Sequence, residues 1–189
     1  MPTHQSPALP LLATLAAMLM LLGGCQSNRL PDIRDAAPVD LERFMGDWFV
    51  IASIPTIFER DAYNAVERYA LKDDGRVDTT FIFRRGGYDG KERRMNPVAT
   101  VRDDTGNAIW GMQFLWPLKS DFRIVYVDDD YSQTIIGRQK RDYVWIMARE
   151  PHMDDADYAA LLDLLEEEGY TISDIQRVPQ CWQAPCEPL

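Results

Sequence analysis

Beyond the first two dozen residues the chain has one histidine, His152, so any imidazole chemistry there must pass through it. It lies between Pro151 and Met153–Asp154, where strand-like sequence gives way to helical periodicity, a place suited to a cap or the surface. A Ser-His-Asp relay would also need a serine displayed on a sharp strand-to-helix turn, and no Gly-x-Ser-x-Gly occurs. Haem and histidine-rich metal centres lack ligands for the same reason. The stretch DDDYSQ sets Asp128, Asp130 and Ser132 at the first alternating positions of a calcium loop. Gln133, however, replaces the glycine such a loop needs for its bend, and Gln139 replaces the closing glutamate, so the segment reads as a turn. The expectation is a chain with no catalytic residue, no metal site and no cofactor.

The remaining reactive side chains are three cysteines. Residues 1–24 contain no Asp, Glu, Lys or Arg, and the apolar run 8–22, ALPLLATLAAMLMLL, reads as the core of a signal peptide rather than a transmembrane helix. It ends in LGGC, which resembles a bacterial lipobox; by that resemblance cleavage leaves Cys25 N-terminal and acylated, and Gln26 after it points to the outer membrane of a Gram-negative envelope, facing the periplasm. The alternative is an ordinary secretory leader with an incidental cysteine. Cys181 and Cys186, in CWQAPC, form an even pair in an exported chain, which favours a small disulfide loop over a metal site with too few ligands. The domain reading is a lipoprotein signal peptide over 1–24, a lipidated tether over 25–38 rich in polar residues and proline, a globular domain over 39–180 and a tail over 181–189.

Those groups need a scaffold, and composition supplies one: 46% hydrophobic and 26% charged residues suit a single globular domain with a sizeable core. The formal net charge of −10 argues against a nucleic-acid partner and against electrostatic adhesion to an anionic membrane. From Trp48 to Arg149 short strand-like runs alternate with turn signals such as KDDGR and RRGGYDGK, giving eight candidate strands: WFVIASI, AVERYAL, VDTTFIF, MNPVATV, AIWGMQF, FRIVYV, QTIIG and YVWIMAR. Short Asp-Gly and Gly-Gly turns require antiparallel neighbours, and eight such strands can close into an up-and-down barrel that leaves no edge exposed. After Arg149, Tyr158, Leu161, Leu162 and Leu165 recur at helical spacing, predicting one helix over about 154–168, capped by Asp154 and ended at Gly169, with its single apolar stripe against the barrel's outside. A last short strand, TISDIQRV, is expected after it.

Alternation assigns an inner face. Trp110, Met112, Phe114 and Trp116 share one parity, as do Phe81 with Phe83 and Val50 with Ala52 and Ile54; Tyr69 and Trp145 complete the expected ligand-binding lining. Parity alone leaves open whether these side chains fill a solid core or surround a cavity.

Gly46-Asp47-Trp48 after a helical turn, Asp130-Tyr131 after the sixth strand, and Arg149 ending the eighth strand before a helix resemble the three sequence blocks of the lipocalins. More narrowly, FERDAYNAVERYALKDDG and DDDYSQTIIGRQKRDYVWIMAREP resemble the bacterial lipocalin and apolipoprotein D branch, whose bacterial members are commonly outer-membrane lipoproteins. The resemblance implies that Trp48 floors the barrel under the Arg149 guanidinium, with Gly46 leaving room for a close turn. It also implies an all-β cup for small apolar ligands such as fatty acids or lysophospholipids, and a carrier rather than an enzyme; the alternatives are a structural or interaction lipoprotein with a filled barrel and a barrel enzyme acting on lipids. Arg84, Arg85, Arg123 and Arg138 are candidate cations for the mouth, and Glu67 stands where that branch often has a small residue, which puts a carboxylate in the lumen. The expected partners are a lipid or other apolar small molecule and the membrane through the acyl anchor; a homodimer is left open.

Overall fold

A computed structural model describes residues 30–186. The expected leader over 1–24, Cys25 and the first residues of the expected tether lie outside the described residues.

Asp40 starts a short helix, α1 (Leu41–Phe44), because its carboxylate accepts the backbone N–H groups of Glu42 at 3.0 Å and Arg43 at 3.2 Å, donors that a first turn leaves free. Nine strands follow: β1 (Gly46–Ile54), β2 (Ala62–Leu71), β3 (Arg76–Arg85), β4 (Lys91–Met95), β5 (Val98–Val101), β6 (Ile109–Leu115), β7 (Leu118–Val127), β8 (Gln133–Gly137) and β9 (Val144–Ala148). Each pairing is antiparallel, and β9 returns to β1 to close the sheet. β4 and β5 are one strand in two pieces. Both pair with β3, β4 along Phe81–Arg85 and β5 along Arg76–Asp78, and Asn96–Pro97 separates them, where proline has no N–H to give a ladder. The result is the eight-stranded antiparallel barrel that the turn spacing implies, its fourth strand starting earlier than the sequence suggested.

The β1–β9 register shifts between Val50 and Ala52. A one-residue bulge moves every later side chain to the opposite face. Val50 therefore packs inside with Met147, whereas Ala52 and Ile54 lie outside the barrel with Ile146 and Val144, not in the lumen where strict alternation puts them.

Helix α2 (Asp155–Glu167) covers that outer layer: Leu161 and Leu165 are buried among Ile51, Ala52, Val125, Ile135 and Ile146. Gly169, at φ +86°, ends the helix as expected, but the Asp154 side chain makes no capping hydrogen bond and faces His152 at 3.7 Å. The segment expected as a final strand is mostly a 3-10 turn (Ile172–Asp174), and only β10 (Gln176–Arg177) pairs, with Ala52 and Ser53 of β1. The tail then fills the seam where the β1–β2 ladder stops at Phe49–Val66. Val178 donates to the Ile51 carbonyl at 2.9 Å, Asn64 donates to that of Pro179 at 2.9 Å, and the Gln180 amide donates to the carbonyls of Val50 and Ala65 at 2.8 and 3.0 Å. A Cys181–Cys186 disulfide, Cα–Cα 5.7 Å, closes the tail just beyond this seam.

Candidate functional site

The two ends of the barrel are built differently. At the end where β1 begins, the Arg149 guanidinium lies 3.8 Å from the centroid of the Trp48 ring and donates to the carbonyls of Asp47 (2.8 Å), Arg43 (2.8 Å), Met45 (2.9 Å), Phe44 (3.2 Å) and Tyr131 (3.2 Å). One side chain thus satisfies the carbonyls that α1 leaves unpaired at its end. Burial pulls the guanidinium pKa down, while Asp47 and then Tyr69 act the other way. Gly46 sits at φ +98° with room for no Cβ without crowding Arg149 Nη1 at 3.3 Å, which is the close turn expected of it. The Trp48 indole N–H donates to the Phe44 carbonyl at 2.9 Å, and Tyr131 braces α1 from below by accepting the Asp40 N–H at 2.8 Å.

Above Trp48 an aromatic layer fills the barrel completely. Phe44 packs on Trp48 (5.1 Å), Tyr69 (5.5 Å) and Trp110 (5.7 Å), and Trp110 stacks on Phe122 (5.1 Å). Edge-to-face and offset geometries of this kind contribute about 0.5–1.5 kcal/mol per pair beyond area burial. Trp48, Tyr69, Trp110 and Val50 are therefore floor and core, with no surface toward the open space. Phe83 is likewise buried, against Phe81 at 5.2 Å.

The other half is hollow. A cavity of about 590 Å³ opens between the loops at the far end, within the usual size of a small-molecule site. Of the expected lining, Phe81, Met112, Phe114 and Trp145 face it; Met95, Phe122 and Tyr143 complete the wall, and Ile57 and Phe58 stand at its edge. Trp116, expected inside by parity, projects into solvent at the β6–β7 turn, since the strand ends at Leu115 and the face it shared with Trp110 ends with it. Phe122 was legible as the inward partner of Ile124 in FRIVYV; Ile57 and Phe58 lie in a loop, where periodicity carries no signal.

Four charged residues line this apolar space, Glu59, Glu67, Asp121 and Arg138, and Asp121 is paired with Arg123. Glu67 accepts a hydrogen bond from the Tyr69 hydroxyl, and burial, together with the nearby Glu59 charge, pushes its pKa up to about 7 despite that bond. Glu59 is also raised by burial, an effect opposed by hydrogen bonds from Thr56 and from the Trp145 indole N–H at 3.0 Å. Arg138 lines the cavity with its Nε buried and, among the described residues, without an acceptor, its Nη1 3.4 Å from Asp142 and its guanidinium 5.2 Å from the Tyr143 ring. Of the four arginines expected at the mouth it alone contributes to the wall: Arg123 is held by Asp121 at 3.1 Å, Arg84 donates to the Gly90 carbonyl at 3.1 Å, and Arg85 is exposed.

His152 is exposed on the outside of the barrel and is not among the cavity residues. Asp128 accepts hydrogen bonds from the backbone N–H groups of Ser132 (2.7 Å) and Gln133 (3.0 Å), so DDDYSQ is a turn braced by its own carboxylate. Among the described residues no cluster of His, Cys, Asp or Glu has the makings of a metal site.

A family model described as a lipocalin-like domain matches residues 39–180. Temperature-induced lipocalin-1 of Arabidopsis thaliana is 30% identical over 151 residues, covering 75% of this chain and 80% of the relative. The outer membrane lipoprotein Blc of Escherichia coli K12 is 26% identical over 176 residues, covering 91% of this chain and 97% of the relative. Among solved structures, insecticyanin from Manduca sexta superposes with a TM-score of 0.62 at 16% identity, covering 78% of this chain and 84% of that one, a likeness of fold.

Proposed function

Because the chain belongs to the lipocalin family, whose members bind small hydrophobic ligands, we propose that it is an envelope lipocalin that binds and carries fatty acids or lysophospholipids in the upper half of its barrel. The observation that carries this reading is the cavity: about 590 Å³ walled by Phe81, Met95, Met112, Phe114, Phe122 and Trp145, with one buried guanidinium nitrogen, Arg138 Nε, lacking an acceptor among the described residues. An acyl chain fits the wall, and a carboxylate or phosphate supplies what Arg138 lacks.

Transferring an acyl chain from water gains up to about 0.8 kcal/mol per methylene. A lipid drawn from a bilayer has already realised that gain, so loading and unloading are close to balanced, as exchange requires. The envelope part of the reading is supported by the lipobox-like LGGC and by the likeness to an outer membrane lipoprotein. Acylated at Cys25, the protein is held at the periplasmic face of the outer membrane.

Native mass spectrometry of the protein extracted from membranes tests ligand binding: bound fatty acid or lysophospholipid is the expected result. Filling the wall by Met112→Trp should abolish that species and weaken displacement of a neutral apolar fluorophore at least about tenfold, as loss of a buried chain segment implies. A protein that carries no lipid and binds no apolar fluorophore refutes the reading. Labelled palmitate incorporated into the wild type but not into Cys25→Ala tests the anchor.

A further inference from the structure

We propose that the open end of the barrel is a docking surface for an anionic phospholipid bilayer, with Ile57, Phe58, Leu115, Trp116 and Leu118 entering the interface and the surrounding Lys and Arg side chains meeting lipid phosphates. Two independent features converge on that end. The five apolar side chains are between 64% and 83% exposed, and they lie in two loops, 55–61 and the β6–β7 turn, that both edge the cavity. Exposed apolar groups gathered at one place on a soluble barrel mark an interaction site, and a tryptophan among them suits the headgroup region.

Charge is segregated along the barrel axis. The open-end segments 55–61, 84–93, 115–121 and 138–143 carry nine Lys or Arg against six Asp or Glu, in a chain with 20 against 30. At the closed end, segments 40–47, 72–78, 102–108 and 128–132 carry four against eleven, and α2 with its cap, 154–168, carries none against seven. Arg60, Arg85, Lys91, Lys119 and Lys140 are exposed around the mouth; Asp61, Asp89, Glu92 and Asp142 share it, while Glu59 is buried. The net charge of −10 that argues against an anionic membrane is therefore an average over two poles, and the acidic pole turns the other away from solution and toward the lipid.

The N-terminal stretch packs on the outside of the barrel beside the open end of β8 before it reaches α1 at the closed end. Ile33 donates its N–H to the Gln139 side chain at 3.2 Å and packs over Gly137, both at the open end of β8. Eight peptide steps separate Ile33 from Cys25, a reach of at most about 28 Å. Docking itself needs neither acylation nor an occupied cavity.

The test uses the full chain with vesicles of phosphatidylcholine alone and with phosphatidylglycerol added, some carrying bromine on the acyl chains. Trp116 should be quenched by the bromolipids, the quenching should be lost in Trp116→Phe, and it should be strong only with the anionic vesicles. Lys119→Gln and Lys140→Gln should each lower binding to those vesicles about fivefold and leave neutral vesicles unaffected. Trp116→Ser with Leu118→Ser should lower it at least about tenfold. Unchanged binding of a neutral apolar fluorophore shows that each variant is folded and its cavity intact, which separates failure of docking from failure of ligand binding. Trp116 equally unquenched in both vesicle types, or lysine variants that bind as the wild type does, overturns the proposal. So does a concentration-dependent shift of Trp116 emission without vesicles, which assigns the rim to a second copy of the chain.

Discussion

Glu67 makes the stability of this barrel depend on pH in a direction opposite to that of most carboxylates. Its pKa rises from an ordinary 4.5 to about 7, chiefly because the charged form is taken out of water. Between those values the folded protein holds a proton that the unfolded chain releases, so folding stability is greatest below about pH 4.5 as far as this group is concerned and is lost as pH rises through 7. A tenfold difference in proton affinity between folded and unfolded chains is worth about 1.4 kcal/mol, which makes the loss between pH 5 and pH 8 about 3 kcal/mol at most, less whatever water enters the cavity recovers. Glu67→Gln removes the titration while keeping an amide for the Tyr69 hydroxyl to meet. Urea unfolding followed by tryptophan fluorescence at both pH values measures the difference between variant and wild type, so carboxylates not coupled to Glu67, including Asp47 with its opposite shift, cancel, and only Glu59 contributes beside it. The variant should be about 2–3 kcal/mol more stable relative to the wild type at pH 8 than at pH 5. A relative stability that stays constant within about 0.5 kcal/mol refutes the placement of Glu67 in a low-dielectric lumen.

Three further changes probe the closed end and the seam. Arg149→Lys should cost about 1–3 kcal/mol in chemical denaturation, because a lysine reaches few of the five carbonyls and leaves part-buried ones such as Met45 and Tyr131 without this donor, while Phe44 keeps the Trp48 indole N–H. Gly46→Ala should cost about 1–3 kcal/mol, from φ +98° and the crowding of Arg149, and its thermal midpoint should fall without loss of fluorophore binding. Replacing Cys181 and Cys186 by alanine should cost no more than about 2 kcal/mol, since the loop closed is short. Hydrogen exchange at Asn64, whose N–H is held by Pro179, should speed up in that variant.

How far the sequence discloses this molecule depends on which interactions are local. The barrel, its order and its outer helix are legible because period-two alternation and hairpin turns act over a few residues. The floor is legible only through the family resemblance that Gly46, Asp47, Trp48 and Arg149 carry, because their contact joins residues about a hundred positions apart. Ala52 and Ile54 are misassigned because a bulge at Ile51 reverses the parity of β1, and bulges leave no mark in hydropathy. The division of the lumen into a plugged half and an open half is hidden for a different reason: Tyr69, Trp110 and Phe81 all point inward, and only the meeting of side chains from distant strands decides which of them touch one another and which face a void. Glu67 shows the converse, since the resemblance marks it as a carboxylate where the related branch often has a small residue, before its partner Tyr69 is known.

Separating the two halves has a consequence for how this chain tolerates change. The residues that fix the barrel, Trp48 under Arg149, the Phe44–Trp110–Phe122 layer, and the seam sewn by the tail, lie apart from most of the cavity wall, and Phe122 alone belongs to both. Close packing below means that a void there costs the full transfer and cavity terms, about 3–5 kcal/mol for a large aromatic cut to alanine. The wall above already borders empty space, so trimming Phe114 or Met112 enlarges a cavity instead of creating one and should cost far less. Ligand range can therefore drift by substitution in the upper strands while the fold stays anchored below. Phe122→Ala is the exception: it should lose stability and ligand affinity together, whereas Phe114→Ala should alter affinity with little change in unfolding midpoint.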